Sequence, residues 1–347
     1  MEKYYNIHNT IKFKLVNTGS SKYQFNKVCS KYKSFESENS KEYDFIVYLG
    51  KFDPANSDCQ IINNIYYIKK DYLYCSEDSY KFTKWKFEIS GFENENTIVR
   101  VSGNFLSSMA ISGHLIDILM RIKMNQKGYP FIHGSCINKN SRGILFPSRS
   151  GAGKTTIALH FVEEGWDFLS DDYTIIHDKK AVGFLSQLNI FTYNLSPLIK
   201  KNIGVKSNII LGLKNLLYKM TFGYIKIFTT LYPMEVFPNS IINECMLSAV
   251  FLLIPKDEFK VNRISRDELI CHLVVSQKLE SLPFTKHLVE YSYIFPDSKF
   301  ANHWKMYKEN LKNHLPENIP FYKVEVPQKY DTKTFEKILA IINETNT

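Results

Sequence analysis

The chain has no run of about 18 consecutive apolar residues, the length a helix needs to cross a bilayer, so it predicts no membrane span. The opening residues MEKYYNIHNTIKFKL hold neither an apolar core nor a small-residue cleavage site, and predict no signal peptide. Cysteine is sparse. Cys29, Cys59, Cys75, Cys136, Cys245 and Cys271 stand apart, none within four residues of another. That spacing suits neither a zinc site nor a disulfide framework, and isolated thiols fit a reducing cytoplasm. The nine histidines are equally scattered, with no HExxH or HxxxH pair. Acidic residues are missing altogether from Lys179 to Met234. The same stretch has no arginine and eight lysines: Lys179, Lys180, Lys200, Lys201, Lys206, Lys214, Lys219 and Lys226.

What remains is a globular composition. The 347 residues are 44 % hydrophobic and carry a formal charge of +9. That is too apolar for a disordered chain, and long enough for one large or two moderate domains with their own cores. Residues 1–105 read as β-rich. Short β-branched and aromatic runs (Ile11–Val16, Asp44–Leu49, Ile61–Ile68, Lys84–Ile89, Thr97–Val101) alternate with polar turns, and no chemical motif lies among them. From Ser107 to about Asn125, Met109, Leu115, Ile116, Ile118, Leu119 and Ile122 recur at helical spacing; Gly128 and Pro130 stop that helix. The sequence places a domain boundary at its start, giving 1–105 and 106–347.

The next fifty residues carry the chemistry. Phe131–Ile137 is a short apolar strand, Asn138–Arg142 a polar turn, and Gly143–Pro147 a second strand. After a glycine loop, Thr155–Glu164 reads as a helix with Gly165 at its stop. A strand through Phe168–Leu169 then delivers Asp171 and Asp172, expected beside the strand that feeds the loop. The loop itself, Ser150-Gly151-Ala152-Gly153-Lys154-Thr155-Thr156, is the phosphate-binding pattern GxxxxGK[ST] with Ser148 in place of the first glycine. Glycines let successive N–H groups turn toward a phosphate, and the helix N-terminus adds positive potential. Lys154 would reach the β- and γ-phosphates, and the Thr155 hydroxyl would ligate Mg²⁺. Ser148 carries a Cβ, which resists positive φ. There is no LSGGQ segment for a transporter ATPase and no NKxD for a GTPase.

His133-Gly134 before the loop, Ser148-x-Ser150-Gly151-x-Gly153-Lys154-Thr155, Gly165 and Asp171-Asp172 together resemble the C-terminal catalytic domain of HPr kinase/phosphorylase. More broadly, they resemble the phosphoenolpyruvate-carboxykinase-like kinases. The close resemblance covers about residues 131–176, with a looser echo at Ser248–Pro255, Phe259–Ser265, Ile319–Val326 and Thr332–Ile342. It implies an α/β phosphate-loop kinase domain behind the β-rich N-terminal domain, using ATP and Mg²⁺. By the same resemblance, Asp172 would accept the proton of a substrate hydroxyl, Asp171 would help hold the metal with Thr155, and His133 would lie beside the transferring phosphate.

After the aspartates the pattern departs from HPr-specific kinases. Their acidic metal ligand and their glycine-rich substrate segment are both missing, and Glu235 is the first acid available. A tailoring kinase acting on serine in a ribosomal peptide, a small-molecule kinase, and a nucleotide-binding regulator without transfer activity all remain open. The lysine-rich stretch favours an anionic partner. An acidic peptide or protein ranks above a membrane surface, and nothing in the chain resembles a nucleic-acid readout motif. Self-association is left open.

Overall fold

The computed structural model describes residues 1–94, 96–190, 201–220, 229–327 and 332–344. Lys200 and Lys226 lie outside the described residues, as do the side chains of Lys206 and Lys219. The chain forms two compact units, each discontinuous in sequence. One is Met1–Pro130 with Gln277–Asn310; the other is Phe131–Ser276 with Leu311–Thr347.

The first unit is built on strands β1 (Glu2–Ile7), β2 (Ile11–Asn17), β3 (Phe45–Leu49), β4 (Gln60–Ile62), β5 (Tyr66–Lys69), β6 (Tyr72–Tyr80), β7 (Thr83–Ser90) and β8 (Thr97–Gly103). They make one mixed sheet in the order β1-β2-β3-β8-β7-β6-β5-β4, parallel at β2–β3 and β3–β8. Alternate residues face inward, as a sheet packed on one side requires. Ile11, Phe13 and Leu15 of β2 are buried, as are Phe45, Val47 and Leu49 of β3. The Phe13 and Phe45 rings stack across the pair at 4.7 Å.

The helical run 105–126 belongs with these strands, whereas the sequence alone assigned it to the following domain. The reason is a buried polar contact. The Tyr32 hydroxyl donates to Asp117 Oδ1 at 2.7 Å and lies 3.0 Å from the Ser112 carbonyl, and Lys31 pairs with Asp117. The run is irregular: a π-helical stretch, Ile111–Ile116, interrupts its α-helical parts. By length and composition it could cross a membrane, but 72 % of its most apolar stretch is buried inside the protein. Gln277–Asn310 joins the same unit through Lys286 and His287, both paired with buried Asp78.

The second unit holds β9 (Phe131–Lys139), β10 (Arg142–Pro147), β11 (Asp167–Ser170), β12 (Tyr173–His177), β13 (Lys180–Gly183), β14 (Leu188–Ile190), β15 (Thr229–Leu231), β16 (Glu244–Pro255), β17 (Lys260–Arg263) and β18 (Phe321–Val326). Its main sheet runs β10-β9-β12-β13-β16-β18-β17; β11 pairs with β9, and β10 also pairs in parallel with β16. Every residue of β9 from Phe131 to Asn138 is buried, the pattern of a strand covered on both faces. The aspartate strand β11 is not the neighbour of β10. Strand β9 lies between them, its Cys136 opposite Leu145 on one side and Ser170 on the other. The helix Lys154–Glu163 packs Ile157, Ala158, Phe161 and Val162 into a core with Phe146, Phe168 and Phe251.

Candidate functional site

Between β10 and the helix Lys154–Glu163 the chain makes the glycine loop. Gly151 and Gly153 both sit in the left-handed region, at φ of 89° and 85°, which explains glycine at these two positions. A Cβ on Gly151 would meet nothing within 4 Å, so the backbone conformation alone demands it. Ser148 is not among the residues with positive φ, so the place where the pattern lacks its first glycine carries no strain. Ser148 is instead buried just after β10, in a parallel bridge to Leu253. Arg149, Ser150 and Gly151 are exposed, Ala152 is buried, and Thr155 and Thr156 are half-buried.

Strand β9 ties the loop to the acid pair. The His133 carbonyl accepts the Ser148 N–H at 3.2 Å, and the Gly134 N–H donates to the Asp172 carbonyl at 3.2 Å. No side chain larger than hydrogen fits at Gly134, where an added Cβ would lie 2.9 Å from Pro147 Cα. The His133 side chain is buried, with its ring 5.4 Å from that of Tyr173 across the strand pair.

Lys154 is buried, with Nζ 3.5 Å from the Arg149 carbonyl, folded back over its own loop. The Thr155 hydroxyl donates to Asp171 Oδ2 at 2.9 Å. Asp171 is buried, and its Oδ1 has no hydrogen-bond partner. Burial first, and then the neighbouring Asp172, push the Asp171 carboxyl well above the usual carboxylate range, while Lys154 and the Thr155 hydroxyl pull it down. Asp172 is half-buried. The structure thus gathers His133, Lys154, Thr155, Asp171 and Asp172 around the loop. Glu235 is exposed and its carboxylate accepts the Tyr232 N–H at 3.2 Å, capping its own short helix.

Sequence reasoning missed a set of buried hydroxyls that support this arrangement. Ser135 donates to the Lys154 carbonyl at 3.3 Å, and Thr174 to the Gly134 carbonyl at 3.0 Å, with Ser170 2.6 Å from Thr174. The available signal was small polar residues inside otherwise apolar strands.

No protein-family profile matches the chain. Over 51 residues it is 41 % identical to HPr kinase/phosphorylase of Chlorobium phaeobacteroides, and it is 41 % identical over 51 residues to that of Pelodictyon phaeoclathratiforme. Each match is 15 % of this chain and spans only 16 % and 15 % of the respective enzymes. Among solved structures, the Hpr(Ser) kinase/phosphatase from Coxiella burnetii aligns with 62 % of this chain and 95 % of its own, at 8 % identity and a TM-score of 0.28. A superposition that loose carries no argument. The relationship is therefore a short, partial likeness to HPr kinase/phosphorylase, in a chain of mixed α/β fold.

Proposed function

We propose that the second unit is a phosphate-loop kinase of the phosphoenolpyruvate-carboxykinase-like kind, which binds Mg·ATP and transfers the γ-phosphoryl group to a hydroxyl. The observation that carries this reading is the Thr155–Asp171 contact of 2.9 Å, set in the first turn of a helix that follows two left-handed glycines. A hydroxyl and a buried carboxylate with one uncommitted oxygen form a hard-oxygen donor set. Mg²⁺ suits such a pair, since it binds through one or two carboxylates and completes its shell with substrate phosphates and water. When bound, it would neutralise phosphate charge. Thr155 and Asp171 would hold it.

The chain's own groups do the rest. The N–H groups from Ser150 to Thr156 would face the phosphates, helped by the helix N-terminus. Lys154 brings a cation to the β,γ-bridge, His133 lines the site, and Asp172 takes the acceptor's proton. Asp172 suits that role better than Asp171 because it is the less buried of the two, while Asp171 is engaged by the Thr155 hydroxyl.

The acceptor we assign is a serine hydroxyl of a peptide or protein with acidic character. Supporting this, the helix Val205–Met220 lies in the acid-free segment and exposes Ile209, Leu213, Leu216 and Met220 at helical spacing. A cytoplasmic setting, suggested by the scattered cysteines of the sequence, belongs to the same reading.

Calorimetric titration with Mg·ATP tests the nucleotide site. Lys154→Ala should weaken binding by about 10–100-fold, the loss of one charge-assisted contact. Equal affinity in the variant would reduce the loop to a structural turn.

A further inference from the structure

The hairpin between β12 and β13 turns on Asp178 and Lys179, both left-handed at φ of 47° and 68°. This turn meets the end of the chain's helix His303–His314. The Lys179 N–H donates to the His314 carbonyl at 2.9 Å, and the Asp178 N–H to His314 Nδ1 at 3.2 Å. Three donor side chains converge there. Asp178 Oδ2 lies 3.4 Å from His177 Nε2, and Asp178 Oδ1 lies 3.3 Å from His314 Nδ1. The two imidazole rings are 4.7 Å apart. One ligand atom from each residue falls within 4.8 Å of the other two, and among the described residues no other group of three His, Cys, Asp or Glu does this.

We propose that His177, Asp178 and His314 form a binding site for a zinc-type divalent cation, separate from the glycine loop and independent of its assignment. Two imidazoles and one carboxylate are the donor set that favours Zn²⁺ over Mg²⁺ or Ca²⁺, which prefer oxygen alone. Bonds of 2.0–2.1 Å in a tetrahedron place neighbouring donor atoms about 3.3 Å apart. The two nitrogen–oxygen separations have that length but use different Asp178 oxygens, so an ion held by one of them must draw the other imidazole in toward it. The histidine side chains are mostly covered and the Asp178 side chain is exposed, leaving the fourth position open to solvent or a small ligand.

One contact opposes the ion. The Asp178 N–H uses the same His314 Nδ1 lone pair. Binding must displace that hydrogen bond, which lowers the affinity for the ion. No linear motif announces the site, because its third ligand comes from a distant helix end.

The test uses the full chain, stripped of metal by a chelator and held in excess Mg²⁺ without nucleotide, so that an oxygen-only site does not compete. Titration with Zn²⁺ alone should show one saturable equivalent. Asp178→Asn and His314→Ala should each weaken it by about 100-fold or more, since losing outer-shell partners alone costs 10–100-fold. Asparagine tolerates the left-handed turn, so Asp178→Asn keeps the hairpin and decides the matter even where His314→Ala does not fold. Co²⁺ in place of Zn²⁺ should give the intense visible bands of a tetrahedral site, lost in Asp178→Asn. Absence of saturable Zn²⁺ binding, or native affinity in Asp178→Asn, would overturn the proposal and leave the trio as an ion-paired hairpin clasp.

Discussion

The Thr155 hydroxyl donates a 2.9 Å hydrogen bond to Asp171, joining the first turn of the helix after the glycine loop to the residue that follows β11. No backbone pairing links β10 to β11, so this side-chain contact complements the bridge that β9 makes between them. Thr155→Val keeps the shape and removes the donor. Asp171 would then be buried with neither oxygen served by that hydroxyl, at a cost of about 1–3 kcal/mol. Urea unfolding without ligand measures the stability loss, and the Mg²⁺ concentration needed for ATP binding should rise. A variant of native stability and native Mg²⁺ requirement would separate Thr155 from the site.

Asp172→Asn tests the base. Nucleotide affinity should stay within a few-fold of native, because the proposed role of Asp172 is toward the acceptor and not the nucleotide. Transfer from γ-labelled ATP to a serine-containing peptide should fall by about 10²–10⁴. Native transfer in this variant would remove Asp172 from the chemistry.

Two glycine substitutions separate space from backbone conformation. Gly134→Ala forces a methyl against Pro147 Cα at 2.9 Å and the Phe146 carbonyl at 3.0 Å, where β9 and β10 pair. The strands must part, and thermal unfolding should report a loss of about 1–3 kcal/mol. Gly151→Ala meets open space and pays only for its positive φ, about 1 kcal/mol. Equal losses at the two positions would contradict this distinction.

The pH dependence of stability should carry a signature of His303 in the first unit. Burial, with Arg121 nearby, lowers its folded pKa from 6.5 to about 3. Between those values the unfolded chain binds the proton and the folded chain does not. Stability is therefore fully present above pH 6.5 and is lost as pH falls toward 3, by about 1.4 kcal/mol per pH unit at the limit. Buried His287, also lowered by burial, acts in the same direction. Urea midpoints at pH 7, 6 and 5 should fall more steeply for the native chain than for His303→Gln. Parallel curves would exclude the histidine as a contributor.

Much of the second unit's first part was legible because its determinants are local. Apolar runs marked β9 and β10, and the helix after the loop begins at Lys154, one residue before the expected Thr155. Gly151 and Gly153 marked the turning loop, and the structure holds both in the left-handed region. Ser148 misled, because a pattern match assigns glycine to a place whose φ does not need it. What stayed hidden depends on pairing over long separations. The inclusion of Gln277–Asn310 in the first unit rests on Asp78 meeting Lys286 and His287. The position of β9 between the loop strand and the aspartate strand rests on register, which no short motif encodes. His177 and His314 lie too far apart in sequence for spacing to connect them.

Because both units are interleaved along the chain, neither can finish folding in the order of synthesis. When Pro130 leaves the ribosome, the N-terminal sheet has all eight strands, yet its Asp78 lacks His287 until well over a hundred further residues have been added. The second unit, begun at Phe131, in turn lacks β18 until Val326 emerges. At about 5–20 residues per second, a nascent chain spends many seconds with a buried-type carboxylate exposed and the flank of β16 uncovered. Cutting the gene at a single point would make that transient state permanent.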